Sequence, residues 1–177
     1  MPPPYQIQIL NPWHQGGAET WVTDFLLYSD EQQPEHLIAK ACVKLCCLAI
    51  EMKKWFEKRN VLAENGVSFP NIHGVDLKHA IWIEEFIPYT LKDAYKLATS
   101  PERKKALENQ FYQTYMRIIG AGFGPIIRLH DLRSRGNDVV MIDVGEDIGN
   151  RNATTPTLSE DCVRNMAAQE FSSIVHA

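Results

Sequence analysis

The sequence predicts an α+β fold, in which a five-stranded antiparallel sheet with one helix is followed by a mostly helical half that contains a hairpin. Strand-like segments and turns alternate over the first 45 residues, a helical pattern precedes two further strands, and capped helices follow from about residue 90. A chain of 177 residues has the length of one domain. We therefore expect a single domain over 1–177, with its first part over about 1–87 and its second over about 88–177.

The strands of the first part are predicted by alternation and by turn residues. YQIQIL alternates polar and apolar residues, NPWHQGGAE is a loop by its proline and paired glycines, and TWVTDFLLYS and EHLIAKACV are β-branched or apolar strands. A helical pattern from about Lys44 ends at the Asn65-Gly66 pair. VSFPNIHGVDLKHAIWIEEF then predicts two short strands joined at Lys78-His79.

The second part is predicted by helix caps. Thr90 and Asp93 form a capping box for a short helix over LKDAYKLA, after a connector at 87–89. Ser100-Pro101 begins a helix that should run to about Ile119. The stretch HDLRSRGNDVVMIDVG follows, and a last helix is capped by Ser159.

Composition excludes several classes of function. With 45% hydrophobic and 23% charged residues, the chain has the composition of an ordinary globular protein. A net charge of -4 argues against a nucleic-acid partner bound by broad phosphate neutralisation. No apolar run approaches the roughly 20 residues of a membrane span, and the first residues, MPPPYQIQIL, do not resemble a cleavable signal. We expect a protein that folds in a cytoplasm.

Four cysteines show no metal-binding spacing. Cys42, Cys46, Cys47 and Cys162 contain no C-x-x-C pair, so we interpret them as reduced, buried residues and expect no zinc site.

The order of several individually weak motifs carries the functional prediction. A glycine pair, Gly16-Gly17, lies between the first two strands, and Lys40 lies on the third. Glu57 follows in the helix, EEF ends the fifth strand, and a His-Asp segment precedes a strand that ends in Asp-x-Gly at Asp143.

This order resembles the protein kinase-like fold, and within it the divergent aminoglycoside phosphotransferase branch and the minimal kinase effectors of bacterial pathogens. The resemblance covers about residues 5–150, and its most specific parts are EKRNVLAENGVSFPNIHG with IWIEEFI, and MIDVGEDIGN. It implies a two-lobed fold with a reduced C-lobe. It also implies an enzyme that uses ATP and Mg²⁺ to phosphorylate a hydroxyl of a protein, with serine or threonine as the expected acceptor.

The resemblance gives the N-lobe residues defined roles. Gly16 and Gly17 would let backbone N–H groups approach the triphosphate. Lys40 would contact the phosphates and pair with Glu57, 17 residues later; Lys44 is the alternative lysine. At the hinge between the lobes, Glu84 and Phe86 would offer main-chain groups to adenine.

The metal and catalytic residues are implied in the C-lobe. Asp143 would hold Mg²⁺, which prefers carboxylate oxygens, and Asp147 is the alternative ligand. Asp131 would orient the attacking hydroxyl, and Asn137 would make a second metal contact. The chain departs from the family here, because His130 and Asp131 are adjacent and only 12 residues separate Asp131 from Asp143.

Two interpretations of this departure remain open. In one, the hairpin is trimmed and both Asp131 and Asn137 still reach the site. In the other, IIRLHD is the first strand of a hairpin that turns through RSRGN, and Asp131 is structural.

The short segment after Asp143 disfavours a small-molecule phosphotransferase, since NRNATTPT and one helix leave no room for the large helical region of those enzymes. Compact effectors that phosphorylate the host's ninety-kilodalton heat-shock chaperone are similar in size. A host chaperone is therefore an implied protein substrate, and secretion into a host cell is the alternative location. The sequence does not indicate an oligomeric state. The rival predictions are a pseudokinase that only binds other proteins and a globular domain with no nucleotide site.

Overall fold

The structure, a computed structural model, describes residues 5–16, 20–29, 33–42, 48–124, 129, 132–144, 148 and 158–177. The chain divides into two compact units, Met1–Phe56 with Pro70–Phe86, and Glu57–Phe69 with Ile87–Ala177. The first unit ends at Phe86, one residue before the boundary predicted at about residue 87. The second half of the first helix and the segment after it belong to the second unit, which the sequence did not predict. This segment forms hydrogen bonds within the second unit. For example, Nη1 of Arg117 donates to the Gly66 carbonyl at 2.7 Å.

The first unit is built on the predicted five-stranded antiparallel sheet. Its strand order is β1-β2-β3-β5-β4, and helix α1 lies between β3 and β4 in the chain. The strands are β1 Gln6–Gln15, β2 Thr20–Tyr28, β3 Glu35–Cys42, β4 Ile72–Asp76 and β5 Ile81–Glu85, and the helix is α1 Leu48–Glu64. The α+β class and this sheet are therefore confirmed.

Strand β1 is longer than predicted. NPWHQ, expected to be a loop, continues β1 as far as Gln15, with irregular register between Ile9 and Asn11 and between Asn11 and His14. Asn11 is held in the ladder by a hydrogen bond from its Nδ2 to Oδ1 of Asp24 at 2.7 Å. Bulges of this kind admit proline and turn-forming residues into an edge strand.

The sheet of the first unit has an apolar core against α1. Met52 of the helix is buried with Ala80 and Trp82, and Phe56 and Cys42 pack against them. The rings of Trp55 and Trp82 lie 5.4 Å apart. A second cluster, Phe25, Leu37 and Ala39, lies on the opposite face of these strands. The two clusters fix the strand register, because a one-residue slip would move every side chain to the opposite face and remove it from the cluster in which it packs.

The second unit contains the capped helices predicted from the sequence. They are α2 Leu91–Leu97, α3 Pro101–Gly120 and α4 Glu160–His176. The side chains of Thr90, Ser100 and Ser159 accept hydrogen bonds from main-chain N–H groups of their first turns. The three caps are confirmed because each depends only on a local sequence pattern.

A three-stranded sheet completes the second unit. Its order is β6-β7-β8, with β6 Tyr89–Thr90, β7 Leu132–Arg135 and β8 Asp138–Met141. Strand β6 was predicted as a connector. Helix α3 packs on α4 and on β8, and the rings of Phe111 and Phe171 lie 5.2 Å apart in that core. The carbonyl of Ser68 accepts a hydrogen bond from Met141 N at 2.9 Å.

Two further findings concern membrane-spanning helices and the cysteines. Within the described residues, no helix combines the length and apolar composition required to cross a bilayer. Cys42 is half-buried and Cys162 is exposed, and both are free thiols. The prediction that Cys162 is buried is therefore wrong, since α4 directs this position to solvent. Cys46 and Cys47 lie outside the described residues.

Candidate functional site

The hairpin of β1 and β2 requires glycine at position 16. The Gly16 N–H donates to the Thr20 carbonyl at 2.9 Å. A Cβ atom at Gly16 would lie 2.5 Å from Cγ1 of Val22, which is closer than such atoms pack. Gly17 lies outside the described residues. The contact that requires glycine at position 16 is therefore with Val22, and the role of Gly16 toward a triphosphate stays a prediction.

We expect Gly16→Ala to destabilise the first unit by about 1–3 kcal/mol, because Val22 is β-branched and cannot move aside without strain. Urea unfolding measures the change. Gly74→Ala is the control in the same sheet, since nothing lies within 4 Å of a Cβ there. Adding Val22→Ala to Gly16→Ala should recover part of the loss; no recovery would show that crowding against Val22 is not the cause.

Lys40 belongs to a largely buried ion pair on the sheet. Its side chain is 12% exposed, and Nζ lies 2.6 Å from Oε1 of Glu84 on β5. Oε2 of Glu84 accepts a hydrogen bond from Nε1 of Trp82 at 3.1 Å. The Lys40 ammonium also lies 6.0 Å from the centre of the Trp82 ring. We call these three residues the β3–β5 cluster.

Sheet register explains the β3–β5 cluster. Lys40 is directly opposite Trp82, and Ile38 is opposite Glu84. Lys40 and Glu84 are therefore diagonal neighbours with side chains on the same face of the sheet, a separation that long side chains bridge. The sequence alone did not reveal this pairing.

Glu57, the carboxylate predicted to pair with Lys40, is exposed on α1. It lies about 140° around the helix from Met52, which packs against the sheet. The structure assigns Glu57 to the second unit and Lys40 to the first. Glu84 is a carboxylate that contacts Lys40 in the first unit, and the pair of Lys40 with Glu57 stays a prediction. Lys44 lies outside the described residues.

Main-chain N–H groups of the predicted hinge form hydrogen bonds within the first unit. The Phe86 N–H donates to the His36 carbonyl at 3.1 Å, and the Glu85 N–H donates to Asn71 at 2.9 Å. Glu84 lies in a strand paired on both sides, and its side chain is 1% exposed. The N–H group of Phe86 is thus occupied within the first unit, and Glu84 lies inside a paired strand, so we retain neither N–H group as a donor to adenine.

A polar cluster beside Phe86 was not predicted. Asp24, which is 6% exposed, accepts hydrogen bonds from Nδ2 of Asn11 at 2.7 Å and lies 2.8 Å from Nε2 of His36. The His36 ring stacks on Phe86 at 4.0 Å. Burial raises the pKa of Asp24, but the hydrogen bonds from His36 and Asn11 outweigh burial and leave that pKa below its ordinary value.

The lowered pKa of Asp24 predicts a contribution to stability that depends on pH. The contribution is complete above the unfolded-state pKa of about 3.9 and is lost as the pH falls through the lower folded-state pKa. Urea unfolding between pH 2 and pH 7 should therefore show a smaller acid-induced loss in Asp24→Asn, which has no carboxyl to titrate, than in the wild type. Equal losses in the two proteins would show that Asp24 does not contribute.

The second unit carries the predicted metal ligand at the end of a hairpin. Asp143 is exposed and follows β8, between the buried side chains of Met141 and Val144. Burial of these neighbours fixes the backbone and leaves the carboxylate toward solvent. Asp147, the alternative ligand, lies outside the described residues, as do His130 and Asp131.

Asn137 is not brought near Asp143. The turn between β7 and β8 is formed by Gly136 and Asn137, with Gly136 at φ 64°. Asp143 follows the opposite end of β8, and four residues of β8 alone span about 13 Å. We therefore do not retain Asn137 as a metal contact. The turn lies within RSRGN, as in the second interpretation of this stretch, with β7 beginning at Leu132.

Glu170 of α4 holds the backbone immediately before His130. Its Oε1 accepts a hydrogen bond from the Leu129 N–H at 2.8 Å, and Leu129 is 3% exposed. Burial raises the pKa of Tyr115 and the nearby carboxylate of Glu170 raises it further. No motif indicated Glu170, because it lies 41 residues from its partner.

A magnesium–nucleotide complex fits the donors that are present. No group of three His, Cys, Asp or Glu side chains suited to a metal ion occurs in the described part of the chain. Mg²⁺ in phosphotransferases usually takes one or two carboxylates, with nucleotide phosphates and water completing its coordination. The exposed carboxylate of Asp143 fits that mode.

Comparison with models of known protein families gave no match for this sequence. Comparison with curated protein sequences gave none either.

Proposed function

We propose that the chain is an ATP- and Mg²⁺-dependent protein kinase of minimal form. The observation that carries the proposal is Lys40, held in a buried ion pair on β3 of a sheet ordered β1-β2-β3-β5-β4, with α1 between β3 and β4. This element order agrees with the N-lobe arrangement that the sequence resembles.

The ion pair itself supports a role beyond stability. Removing two charges from water costs about as much as their attraction returns, so a buried pair is often no more stable than apolar residues of similar volume. Lys40 and Glu84 nevertheless occupy the sheet where Ile38 and Trp82 show that apolar side chains fit. A use for the ammonium group explains the pair better than stability does.

The residues have separate roles in this proposal. Lys40 binds the nucleotide phosphates, and Gly16 shapes the hairpin that approaches them. Asp143 holds Mg²⁺, which when bound neutralises charge on the phosphate oxygens. Asp131 accepts the proton of the attacking hydroxyl, and Glu170 fixes the chain two residues before it. A host chaperone is one proposed substrate.

A pseudokinase is the second candidate, favoured by two observations. The main-chain N–H group of Phe86 donates to the His36 carbonyl within the first unit, which occupies a donor that the resemblance assigned to adenine. Asn137 lies in the β7–β8 turn rather than beside Asp143, which removes a second metal contact. Such a protein would bind partners through the kinase shape and transfer no phosphate.

Transfer of radiolabelled γ-phosphate separates these functions. The full chain is incubated with labelled ATP, Mg²⁺ and either a bacterial or a eukaryotic lysate, which contains the chaperone. We expect protein bands that carry more label than in the same lysate incubated with Asp143→Ala, and we expect this additional label to disappear when EDTA removes Mg²⁺. Binding of Mg-ATP without labelled protein would identify the pseudokinase, and label in small molecules alone would identify a small-molecule phosphotransferase.

A further inference from the structure

Strand β1 presents an exposed apolar face at the edge of the first sheet. Among the described strands, β1 is an edge strand of the five-stranded sheet, and all ten residues of Gln6–Gln15 are exposed. Ile7 and Ile9 are 64% and 62% exposed, and Tyr5, just before the strand, is 59% exposed. QIQI alternates polar and apolar residues, which is the pattern of a strand with one buried face. This face therefore has the sequence of a buried surface and the exposure of a free one.

Sheet register shows which face of the sheet carries the two isoleucines. Ile9 is directly opposite Phe25 and Ile7 is directly opposite Leu27 on β2. Phe25 belongs to the second apolar cluster of the sheet, and Leu27 packs against that cluster. The two isoleucines thus extend an apolar cluster of the first unit to the edge of the sheet, where a further strand would cover them.

We propose that β1 pairs with β1 of a second copy of this chain, antiparallel about a two-fold axis at Gln8. This register places Ile7 of each copy opposite Ile9 of the other, and it is the antiparallel register that pairs both isoleucines of each copy with isoleucine. Opposed β-branched side chains are favourable cross-strand pairs, and a two-fold interface requires such self-complementarity. The pairing does not depend on kinase activity, since no residue of β1 has a role in phosphate transfer.

The first half of β1 lacks the features that block pairing at sheet edges. Such edges are commonly blocked by charged side chains, proline, bulges or short length. The segment Gln6–Ile9 has regular register and contains no charged residue or proline, whereas Pro12 and irregular register follow in the second half of the strand. The other edge strand, β4, has only five residues, ends at Asp76 and has irregular register before Gly74. Of these two edges, β1 is the one suited to pairing.

The exposed area is of the size that a dimer needs. Trp13 of β1 is 44% exposed and adds to the apolar surface of the strand. With about 150–250 Å² for an aromatic side chain and less for isoleucine, the exposed parts of Tyr5, Ile7, Ile9 and Trp13 amount to on the order of 400 Å². The main-chain edge and the glutamine side chains bring the total toward the roughly 800 Å² per partner of a stable interface. We therefore expect a dimer with a Kd in the micromolar range.

Sedimentation equilibrium of the full chain across the micromolar range tests the pairing. The mean mass should rise with concentration from that of one chain toward that of two. Ile7→Lys should raise the Kd of the dimer about tenfold or more, because each dimer loses both Ile7–Ile9 pairs. Val75→Lys is the matched control and should dimerise as the wild type does, since Val75 is a β-branched residue, 46% exposed, on the other edge strand.

Two outcomes of sedimentation would overturn the proposal. A wild-type chain that keeps the mass of one copy at every concentration would exclude self-pairing. A mass that rises beyond two copies would show an open assembly instead of a closed two-fold dimer. A dimer that Ile7→Lys and Val75→Lys leave equally intact would place the interface elsewhere and would likewise overturn it.

A complementary pair of variants tests the register about Gln8. Ile9→Glu should also weaken self-association, because each dimer again loses both isoleucine pairs. In a mixture of Ile7→Lys with Ile9→Glu, the proposed register sets the introduced lysine opposite the introduced glutamate and keeps one isoleucine pair. We expect a Kd in the mixture about fivefold or more below that of either variant alone. Thermal melting shows that both variants are folded, and no recovery in a mixture of folded variants would contradict the antiparallel pairing.

Discussion

Replacing Asp143 with alanine is expected to lower phosphate transfer from Mg-ATP to protein by about a hundredfold or more, the loss typical when one electrostatic stabiliser of a transition state is removed. The carboxylate is exposed after β8, and the free energy of unfolding is measured beside transfer so that a loss of activity is distinguished from a loss of fold. Labelled transfer and urea unfolding on the same samples give the two quantities.

Asp138→Ala is the control for Asp143→Ala. Asp138 is an exposed aspartate at the start of β8 in the same hairpin, so the two variants remove the same charge from opposite ends of one strand. Transfer should persist in Asp138→Ala. Equal activity in Asp143→Ala and wild type would show that Asp143 is not the metal ligand.

Replacing Lys40 with methionine is expected to destabilise the protein by about 3–5 kcal/mol, because it leaves the charge of Glu84 buried without its cation. The double variant Lys40→Met with Glu84→Gln should be considerably more stable than Lys40→Met alone, since it buries no charge. Urea unfolding of both variants and of Glu84→Gln completes a double-mutant cycle.

Lys105→Met provides the matched control for Lys40→Met. Lys105 also pairs with a glutamate, at 3.1 Å from Glu108, but its side chain is 64% exposed. Exposed pairs contribute little, so Lys105→Met should be close to wild type. If Lys40→Met unfolds at the same urea concentration as Lys105→Met, the ion pair is not a coupled structural unit. Loss of activity in Lys40→Met must in either case be measured on the folded fraction.

Local sequence patterns predicted much of the fold. The caps at Thr90, Ser100 and Ser159 depend on residues within one turn, and all three were predicted. Alternation predicted β1, but the buried face expected for it is wrong, because its side chains are exposed along the whole strand. β-Branched and apolar composition predicted β2 and β3. The prediction failed for NPWHQ, where Asn11 is tied to Asp24, 13 residues away. A local reading cannot include that bond.

The candidate site was less predictable because its contacts are between distant residues. The pairing of Lys40 with Glu84 depends on which residues of β3 and β5 face one another, and that register is set by the whole sheet. The contact between Glu170 and Leu129 joins a helix to a separate segment. Asn137 matched a motif by spacing alone, and the β7–β8 turn placed it at the wrong end of the hairpin. Spacing in sequence therefore singled out Lys40 and Asp143, whose roles stay predictions, but did not predict the residues around them.

Binding of Mg-ATP to the wild-type chain tests the central claim most directly. Thermal melting is measured with and without millimolar Mg-ATP, and with Mg²⁺ alone. A ligand present at 100 times its Kd stabilises the folded state by about 2.7 kcal/mol, which for a protein of this size corresponds to a rise in Tm of several degrees. We predict such a rise, and a smaller one in Asp143→Ala. An unchanged Tm in millimolar Mg-ATP would contradict both the kinase and the nucleotide-binding pseudokinase.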